Sequence, residues 1–492
     1  MNSTIEASAL NEQAISELKY ARTMADLPGP KGLPLVGNAL SMTGRQWHLT
    51  LARWIREFGP MFQVRVPGGA MVVIADRATA GTMLRERPEQ FRRTGGLKTV
   101  MNELNISGVF TAEGDDWRRQ RKLVMGGLNA EVIRNFFPKM SAMAERMLLR
   151  WKTTLAEGRQ VDLRRDLKAF ALDVTVGLAM GHDLDVVNHD GSPLQHDVDN
   201  MFQRLGARSF ALFPYWRHFK LPADREVDQS AENIEQAVIG FIRNTRERMA
   251  LQPELREKPT NMLEAMIAAS DDPDSDFTDQ DLISNAILSV IGGEDTTANS
   301  MAWMINLLAQ YPAAAAAATA EADAVLGNEP LVRDWELMKQ FAYIDAAHSE
   351  TQRLRTVAPF IGIVSNADCV VADTFFPKNT AFVVSTTAEG LDEAQFPDND
   401  SFQPERWIFD HRPQKEENPV RKLLPFGDGP RVCPGRFLAM TEIKLVISML
   451  LHNFELEFDT HAPPIQQVMN FFMGPSTVPV KLKLRSVAGQ RR

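Results

Sequence analysis

Hydrophobic and polar residues follow two different patterns along the chain, one helical and one extended. From about residue 115 to residue 355, apolar residues recur every three or four positions, which predicts amphipathic helices. The segments 62–76 and 368–387 instead hold β-branched runs broken by turn residues, which predicts two β-hairpins. The predicted helices cover residues 115–127, 130–155, 165–180, 195–210, 228–250, 260–270, 279–310, 313–326, 335–356 and 436–454, and strands are predicted near 455–458 and 478–484.

The pattern contains no repeat, no low-complexity linker and no clear boundary between domains. Length alone would allow about three domains, but the continuous helical region favours one. Residues 1–26 are predicted to be a polar, helical extension, and the Pro/Gly-rich segment 27–38 opens a single domain that covers residues 27–492. The predicted fold class is mainly α with a minor β region (α+β).

Composition and charge exclude several classes of protein. The formal charge of −9 and the pI of about 5.6 argue against generic nucleic-acid binding, which usually needs a basic surface. No apolar run approaches the roughly 20 residues of a membrane-spanning helix, and the N-terminus lacks the apolar core of a secretory signal. Two cysteines, Cys369 and Cys433, are too few for a four-cysteine zinc or iron–sulfur site. We therefore expect a cytoplasmic protein with reduced thiols and no transmembrane anchor.

One of those cysteines lies in an unusual loop, "LPFGDGPRVCPGR" at residues 424–436. Three glycines, three prolines and two arginines surround Cys433, so the loop is tightly turned and electropositive. Its composition matches neither a helix nor a strand, and it directly precedes the last predicted helix.

The helix predicted at 279–310 is mostly apolar, but its centre, "GGEDTT" at residues 292–297, consists of glycines and polar residues. A capping-box pattern at Thr278–Asp281 starts this helix. One interpretation is a glycine kink in which a threonine hydrogen-bonds to the carbonyl four residues earlier. The other is a groove over a cofactor, with Asp295 and Thr296 handling protons, and the residues alone leave both open.

Three further charged residues form a candidate network. Glu350 and Arg353 are one helical turn apart, and Arg406 follows Pro404 in an irregular segment before the cysteine loop. They are either an ordinary surface ion pair, worth about 0–1 kcal/mol, or a buried structural network that is costly to break.

Taken in order, these motifs resemble those of the cytochrome P450 family, the haem-thiolate monooxygenases. Phe426, Gly429, Arg431, Cys433 and Gly435 match F-x-x-G-x-R-x-C-x-G. Residues 292–297 match the family's long-helix motif, residues 350–353 its E-x-x-R motif, "QPERW" its Arg406 motif, and Trp117 with Arg121 its W-x-x-x-R motif. The resemblance covers nearly the whole chain after residue 26 and suggests a soluble, bacterial-type member without a fused reductase.

The resemblance implies the cytochrome P450 fold, with haem b between the long distal helix and the proximal cysteine loop and helix. Cys433 would be the axial ligand of the haem iron, with a thiol pKa lowered by Arg431 and Arg436, and Phe426 would cover the ligand side. Asp295 and Thr296 would relay protons to dioxygen, and Glu350, Arg353 and Arg406 would form the structural network. The remaining implied haem contacts are Trp117, Arg121 and Arg431 on the propionates and Gly292 and Gly293 in the groove.

The sequence departs from the family at one point. Many members carry a propionate-binding Arg or His about a dozen residues after E-x-x-R, but residues 356–368 of this chain contain no basic residue. The propionates are therefore expected to depend on Trp117, Arg121 and Arg431, or on polar groups such as Ser365. Which residue replaces the missing one is not evident from the sequence.

The resemblance also implies the partners: O2, a small hydrophobic substrate, and a separate ferredoxin or flavodoxin that supplies electrons to a monomer. Candidate pocket residues are Met101, Leu104, Phe110, Phe360, Phe471 and Phe472. The candidate basic face for the redox partner consists of Arg118, Arg119, Lys122, Arg421, Lys422, Arg436 and Lys444.

Three functions, two catalytic and one non-catalytic, are compatible with these motifs. The first is an O2-dependent hydroxylase or epoxidase, which the Asp295–Thr296 pair favours. The second is a haem-thiolate peroxygenase, decarboxylase or isomerase, which needs no such proton relay. The third is a non-catalytic haem protein that binds a ligand.

Overall fold

The computed structural model describes residues 21–67, 69–209, 211, 213–272, 275–408 and 423–485. Its helices are α1 (Trp47–Phe58), α2 (Arg77–Arg85), α3 (Gly95–Glu103), α4 (Gly114–Gly127), α5 (Ala130–Ala156), α6 (Leu163–Met180), α7 (Pro193–Ser209), α8 (Pro222–Leu251), α9 (Glu254–Glu257), α10 (Met262–Ser270), α11 (Asp279–Gln310), α12 (Pro312–Leu326), α13 (Ala342–Arg355) and α14 (Arg436–Asn453). Its strands are β1 (Arg22–Thr23), β2 (Met61–Val66), β3 (Gly69–Ile74), β4 (Phe91–Arg93), β5 (Phe360–Ser365), β6 (Cys369–Val371), β7 (Thr374–Phe376), β8 (Ala381–Ser385), β9 (Phe454–Phe458), β10 (Gln467–Met469), β11 (Met473–Pro475) and β12 (Val480–Leu484).

The strands form four small sheets beside the helices. The largest has the order β2-β3-β8-β5-β4, in which β3 and β8 are parallel and the other pairs antiparallel. The others are β1-β7-β6, β9 with β12, and β10 with β11. The mainly α fold with a minor β region is confirmed.

Most predicted elements are confirmed, but three predictions need correction. The helix predicted at 335–356 is divided: Trp335–Gln340 is a 3-10 helix, and α13 starts anew after Phe341, because Glu321 accepts the backbone N–H groups of Tyr343 and Ile344 at 2.6 and 2.9 Å. The hairpin predicted at 368–387 consists of β6 and β7 alone, and β8 joins the five-stranded sheet. Residues 21–26 form a strand and a 3-10 helix instead of an α-helix, while residues 1–20 of the predicted extension lie outside the described residues.

Helices α6 and α11 pack side by side at the centre of the largest hydrophobic cluster. The predicted capping box starts α11, since the Thr278 N–H donates to Asp281 at 3.0 Å and the Asp281 N–H donates to Thr278 at 3.1 Å. The two central glycines of α11 have separate roles. A Cβ on Gly293 would lie 2.4 Å from the Thr175 hydroxyl oxygen on α6, whereas a Cβ on Gly292 would meet no protein atom within 4 Å. Gly293 therefore lets the two helices approach, and Gly292 faces open space.

The predicted Glu350–Arg353–Arg406 network is present and buried. The side chains of Glu350 and Arg353 are both 0% exposed and lie 2.8 Å apart, and the Nε of Arg406 lies 3.4 Å from Glu350. The indole of Trp407, which the sequence did not suggest, donates to Glu350 at 2.8 Å. The remaining donors of Arg353 bind backbone carbonyls of an irregular segment, at Gly390, Asn399 and Ser401. The network therefore ties α13 to the segment that precedes the cysteine loop.

We expect Arg353→Met to lower the free energy of unfolding by about 3–5 kcal/mol, because the buried Glu350 carboxylate loses its counter-ion. Urea unfolding monitored by circular dichroism measures this change. The matched control is Lys339→Met, which removes a cation from the exposed pair with Glu336. A similar loss in both variants would contradict the structural role of the buried pair.

The two glycines of α11 provide a second test. Gly293→Ala is expected to lower the thermal midpoint through a clash with Thr175, which typically costs about 1–3 kcal/mol. Gly292→Ala is expected to raise it, because alanine stabilises a helix interior by up to about 1 kcal/mol relative to glycine. Shifts of the same sign in both variants would be incompatible with this packing.

Candidate functional site

The cysteine loop is anchored by a close approach to α2. Gly429 has a φ of +70°, and a Cβ there would lie 2.5 Å from the Cα of Arg85, so both the conformation and the packing require glycine. Next to it, Asp428 pairs with the Arg85 guanidinium at 2.8 Å. The Cys433 N–H donates to the carbonyl of Phe426 at 2.9 Å, and the Phe426 ring stacks on His348 of α13 with centroids 6.2 Å apart. The loop is thereby held between α2 and α13.

Cys433 lies three residues before the first residue of α14, Arg436. Its side chain keeps solvent-accessible surface, but the surrounding protein atoms are close enough to desolvate the sulfur. Burial raises the pKa of the Cys433 thiol, while the N–H groups of Gly435 and Arg436 and the charges of Arg121 and Arg436 lower it to a smaller extent. The predicted lowering of this pKa by Arg431 is wrong, because Arg431 is engaged with Glu113 and burial dominates at the sulfur. A metal cation bound at the sulfur favours the thiolate and reverses the balance.

Trp117, Arg121 and Arg431, predicted at the propionates, come together around this loop. Arg121 donates to the carbonyl of Val432 at 2.8 Å. Arg431 lies over the Trp117 ring at 4.8 Å and donates to the carbonyl of Ala112 at 2.7 Å. Its Nε and Nη1 atoms are buried and have no hydrogen-bond partner in the described part of the chain. Spare guanidinium donors therefore remain beside the loop.

Two arginines that the sequence analysis missed extend this group. Arg87 is 3% exposed, and its Nε and Nη2 atoms also have no partner. Arg93, on β4, is paired in register with Ile363 of β5, and its guanidinium lies 3.6 Å above the Phe110 ring. The available signal was the density of arginines in "RERPEQFRR", residues 85–93.

The charges of this group are only partly balanced by carboxylates among the described residues. Burial and the charge of Arg431 lower the pKa of Arg87 to about 10, and burial followed by the charges of Arg87 and Arg431 lowers the pKa of Arg93. Glu113 is the nearby carboxylate that opposes both shifts. Buried, unpaired guanidinium donors are costly unless an anion joins them. The arrangement thus fits a ligand that brings carboxylates to this point, as the two propionates of haem do.

On α11, Asp295 and Thr296 face different sides of the helix. The Thr296 hydroxyl donates to the carbonyl of Gly292 at 3.0 Å, which is the back-bond predicted for this motif. Asp295 is 3% exposed and lies 3.0 Å from the ammonium of Lys168 on α6. Lys168 also pairs with Asp199 and lies 3.6 Å from Glu294. None of these three partners was identified from the sequence.

Polar contacts join α11 to the helix that flanks the cysteine loop. Arg119 of α4 pairs with Asp281 at 2.9 Å, and Asn285 donates to Gln120 at 3.3 Å. Since α4 also carries Trp117 and Arg121, it fixes the position of the distal helix relative to the loop.

Three of the predicted pocket residues form one aromatic group. The rings of Phe110 and Phe471 lie 6.4 Å apart, and those of Phe471 and Phe472 lie 4.9 Å apart. Phe360 lies elsewhere, against Trp47 at 5.7 Å. Met101 and Leu104 are 2% and 1% exposed within the main hydrophobic cluster, so they are core residues.

The predicted basic face is largely neutralised where it is described. Arg118 pairs with Glu89 and Asp115, Arg119 with Asp116 and Asp281, and Lys444 with Asp345. Lys122 and Arg436 are exposed. Arg421 and Lys422 lie outside the described residues.

Within the part of the chain that the structure describes, none of the helices combines the length and the apolar character needed to cross a bilayer.

Comparison with known proteins identifies the family. A sequence model described as Cytochrome P450 matches residues 27–482. Cytochrome P450 3A13 of Mus musculus is 25% identical, over 88% of this chain and 85% of the relative. Sugiol synthase of Salvia miltiorrhiza is 25% identical over 91% of both chains, and the Arabidopsis thaliana protein LUTEIN DEFICIENT 5, chloroplastic, is 23% identical over 92% of this chain and 76% of the relative.

These relatives are eukaryotic, so the soluble, bacterial-type character and the cytoplasmic location stay predictions. The match over residues 27–482 nevertheless covers most of the chain and includes every motif described above. The chain therefore belongs to the cytochrome P450 family and is an oxidoreductase, a monooxygenase whose cofactor is haem b.

Proposed function

We propose that this monooxygenase inserts one oxygen atom from O2 into a small hydrophobic substrate, by hydroxylation or epoxidation, with Cys433 as the axial ligand of the haem iron. The observation that carries the proposal is the accessible Cys433 thiol, held by backbone contacts just before α14 in a loop that α4 connects to the distal helix. When bound, the haem supplies the iron that activates dioxygen, and a thiolate ligand favours cleavage of the O–O bond.

The cysteine loop has the task of controlling the thiolate. The N–H groups of Gly435 and Arg436 favour the charged sulfur and reduce its basicity. Phe426, held by His348, covers the ligand side and limits the access of water. Together these groups adjust how much electron density the sulfur donates.

The arginine group has the task of orienting the cofactor. Arg121 and Arg431 are joined in this role by Arg87 and Arg93, whose guanidinium groups can each bind a carboxylate with two hydrogen bonds. Arg93 replaces the basic residue that is absent from residues 356–368, because β4 brings it next to Ile363 within that segment. This supports a propionate site supplied by two strands that are far apart in sequence.

The distal helix has the task of delivering protons. The Thr296 hydroxyl lies on the side of α11 where a Cβ on Gly292 would meet no protein atom within 4 Å, so this face leaves room for a ligand. Asp295, the adjacent acid, supplies the proton that replaces the one given up by the Thr296 hydroxyl. A relay of this kind favours O2-dependent oxygenation over the peroxygenase, decarboxylase and isomerase reactions and over a ligand-binding role without catalysis.

The substrate and the electron donor follow from the surroundings. Phe110, Phe471 and Phe472 present apolar rings, which suits a hydrophobic substrate. Electrons are supplied by a separate ferredoxin or flavodoxin. The ion pairs of Arg118, Arg119 and Lys444 reduce the positive potential of the proposed docking face, so electrostatic steering is expected to be modest.

The arginine assignment has a matched control on the same strand. Arg93→Gln is expected to lower haem content per polypeptide several-fold, because the proposed guanidinium donor to the propionates is lost. Arg92→Gln is expected to retain the cofactor, since Arg92 binds Ser365, Asn366 and Asn379 on the other face of β4. A pyridine haemochrome assay on purified protein measures both, and equal haem content would refute the role of Arg93.

For the relay, Thr296→Ala is expected to lower the product formed per NAD(P)H oxidised by about tenfold, since a positioned proton donor typically contributes at least that much. Peroxide release should rise by the corresponding amount. Thr296→Ser keeps the hydroxyl and should restore most of the coupling. Full coupling in Thr296→Ala, with substrate binding intact by the haem spin-state shift, would exclude the relay.

A further inference from the structure

Lys168 is the centre of a buried charge cluster that joins three helices. Its ammonium lies 3.0 Å from Asp295 and 3.6 Å from Glu294, both on α11, and it also pairs with Asp199 on α7. Three carboxyl groups thus surround one cation. Two of them belong to consecutive residues of the distal helix, and the proposed relay uses only one of these, Asp295.

Glu294 is the carboxyl group of the cluster whose negative charge would be the least stabilised by its neighbours. Its side chain is 0% exposed, and neither of its carboxyl oxygens has a hydrogen-bond partner among the residues that the structure describes. Asp295 is closer to the ammonium than Glu294 by 0.6 Å, the difference between 3.6 and 3.0 Å. A buried carboxylate without partners is strongly disfavoured relative to its neutral acid. The geometry therefore favours a protonated Glu294 and leaves Asp295 as the closer partner of Lys168.

The protonation balance agrees with this geometry. Burial raises the pKa of Glu294 to about 8, with the ammonium of Lys168 opposing and the charges of Asp295 and Asp199 reinforcing that shift. Burial lowers the pKa of Lys168, but the three carboxylates raise it by more, so the amine stays charged. At neutral pH Glu294 therefore holds a proton beside the Lys168 ammonium.

We propose that Glu294 and Asp295 share a single proton beside Lys168, and that Glu294 holds this proton until Asp295 requires it. In the transfer, the Lys168 ammonium, which lies between the two acids, donates an N–H proton to Asp295 and takes the O–H proton of Glu294, so one O–H bond breaks on Glu294 and one forms on Asp295. Lys168 stays an ammonium ion and exchanges one carboxylate counter-ion for the other, so the net charge of the cluster is unchanged. Asp295, now neutral, no longer needs the lysine and is free to turn towards the Thr296 side of the helix.

Exposure within the cluster indicates how the proton is replaced. The side chain of Asp199 is 35% exposed, that of Lys168 11%, that of Asp295 4% and that of Glu294 0%. Accessibility falls steadily from the surface of α7 to the interior of α11. Asp199 is therefore the outer member, through which the cluster exchanges protons with water.

The role of Glu294 in delivery rests on the proposed function, but the shared proton itself does not. A purely structural ion cluster would hold α6, α7 and α11 together without a proton that moves between residues. In that case Glu294 would be a fixed neutral acid, and removing its proton would leave product formation coupled to NAD(P)H oxidation. The infrared measurements test whether the two acids compete for one counter-ion beside Lys168, and turnover tests whether the proton is delivered.

Infrared spectroscopy of the holoenzyme, titrated from pH 5 to about 9 around the pKa of about 8, tests the shared proton. The carbonyl stretch of a protonated carboxylic acid is expected at pH 7, and Glu294→Gln should abolish it. Glu442→Gln is the matched control, since Glu442 is also a buried carboxyl with a raised pKa but lies on α14. It should remove a different band and leave that of Glu294 unchanged.

Asp295→Asn provides the decisive comparison. With an amide at position 295, Glu294 becomes the counter-ion of Lys168, so its pKa falls and its acid band should be absent at pH 7 although Glu294 is still present. Persistence of the band in Asp295→Asn, or its absence from the wild-type protein, would overturn the shared proton. Both substitutions preserve side-chain shape, and the reduced, CO-bound absorption spectrum verifies that each variant is folded with a thiolate ligand.

Turnover then tests delivery separately. Glu294→Gln is expected to lower the product formed per NAD(P)H oxidised by about tenfold, with a weaker dependence on pH between 7 and 9 than the wild type. Unchanged coupling in Glu294→Gln, when Thr296→Ala does uncouple the enzyme, would overturn the role of Glu294 and leave the Thr296 relay intact. If Thr296→Ala also remains coupled, the proposed relay itself fails, whatever the infrared result.

Discussion

The buried ion pair of Glu350 and Arg353 is the interaction on which the rest of the site depends. Both side chains are fully buried. Arg353 donates to backbone carbonyls within residues 390–401, and Glu350 accepts a hydrogen bond from the indole of Trp407. An irregular segment has no hydrogen-bond ladder of its own, so its position must come from outside. The pair supplies that position from a rigid helix, and the cysteine loop begins a short distance after the segment it holds.

The cofactor site, by contrast, contains groups that the protein alone leaves unsatisfied. Arg87 and Arg431 have buried donors without partners, and burial disfavours the Cys433 thiolate. A ligand that carries both a cation for the sulfur and carboxylates for the arginines relieves all of these at once. By linkage, such a ligand stabilises the folded state as it binds. The structural network and the proposed binding site therefore differ in kind: the first is complete in the polypeptide, and the second is the place that we propose haem completes.

How far the sequence predicts this site depends on whether a contact is local. Cys433, the Glu350–Arg353 turn and the Trp117–Arg121 pair are short motifs, and the structure has them in the expected elements. The roles proposed for Arg93 and Lys168 depend on their contacts with Ile363 and Asp295, respectively. Because these partners are distant in sequence, the sequence alone does not indicate the roles. Periodicity identified most helices, but it could not show that Glu321 caps a new helix after Phe341. The prediction of a lowered thiol pKa was wrong for a related reason. In the sequence Arg431 is a close neighbour of Cys433, but in the structure its guanidinium pairs with Glu113.

Asp295 and Thr296 are adjacent in sequence but face different sides of one helix. The proton cluster lies towards α6 and α7, whereas the aromatic group of Phe110, Phe471 and Phe472 is built from other segments. The rings of Phe110 and Phe471 can therefore be replaced without changing the acids or the lysine, whereas Phe472 packs on Phe202 of α7, the helix that also carries Asp199. Under the proposed relay, selection can alter which molecule this enzyme oxidises through the first two rings while the residues that move protons are inherited unchanged.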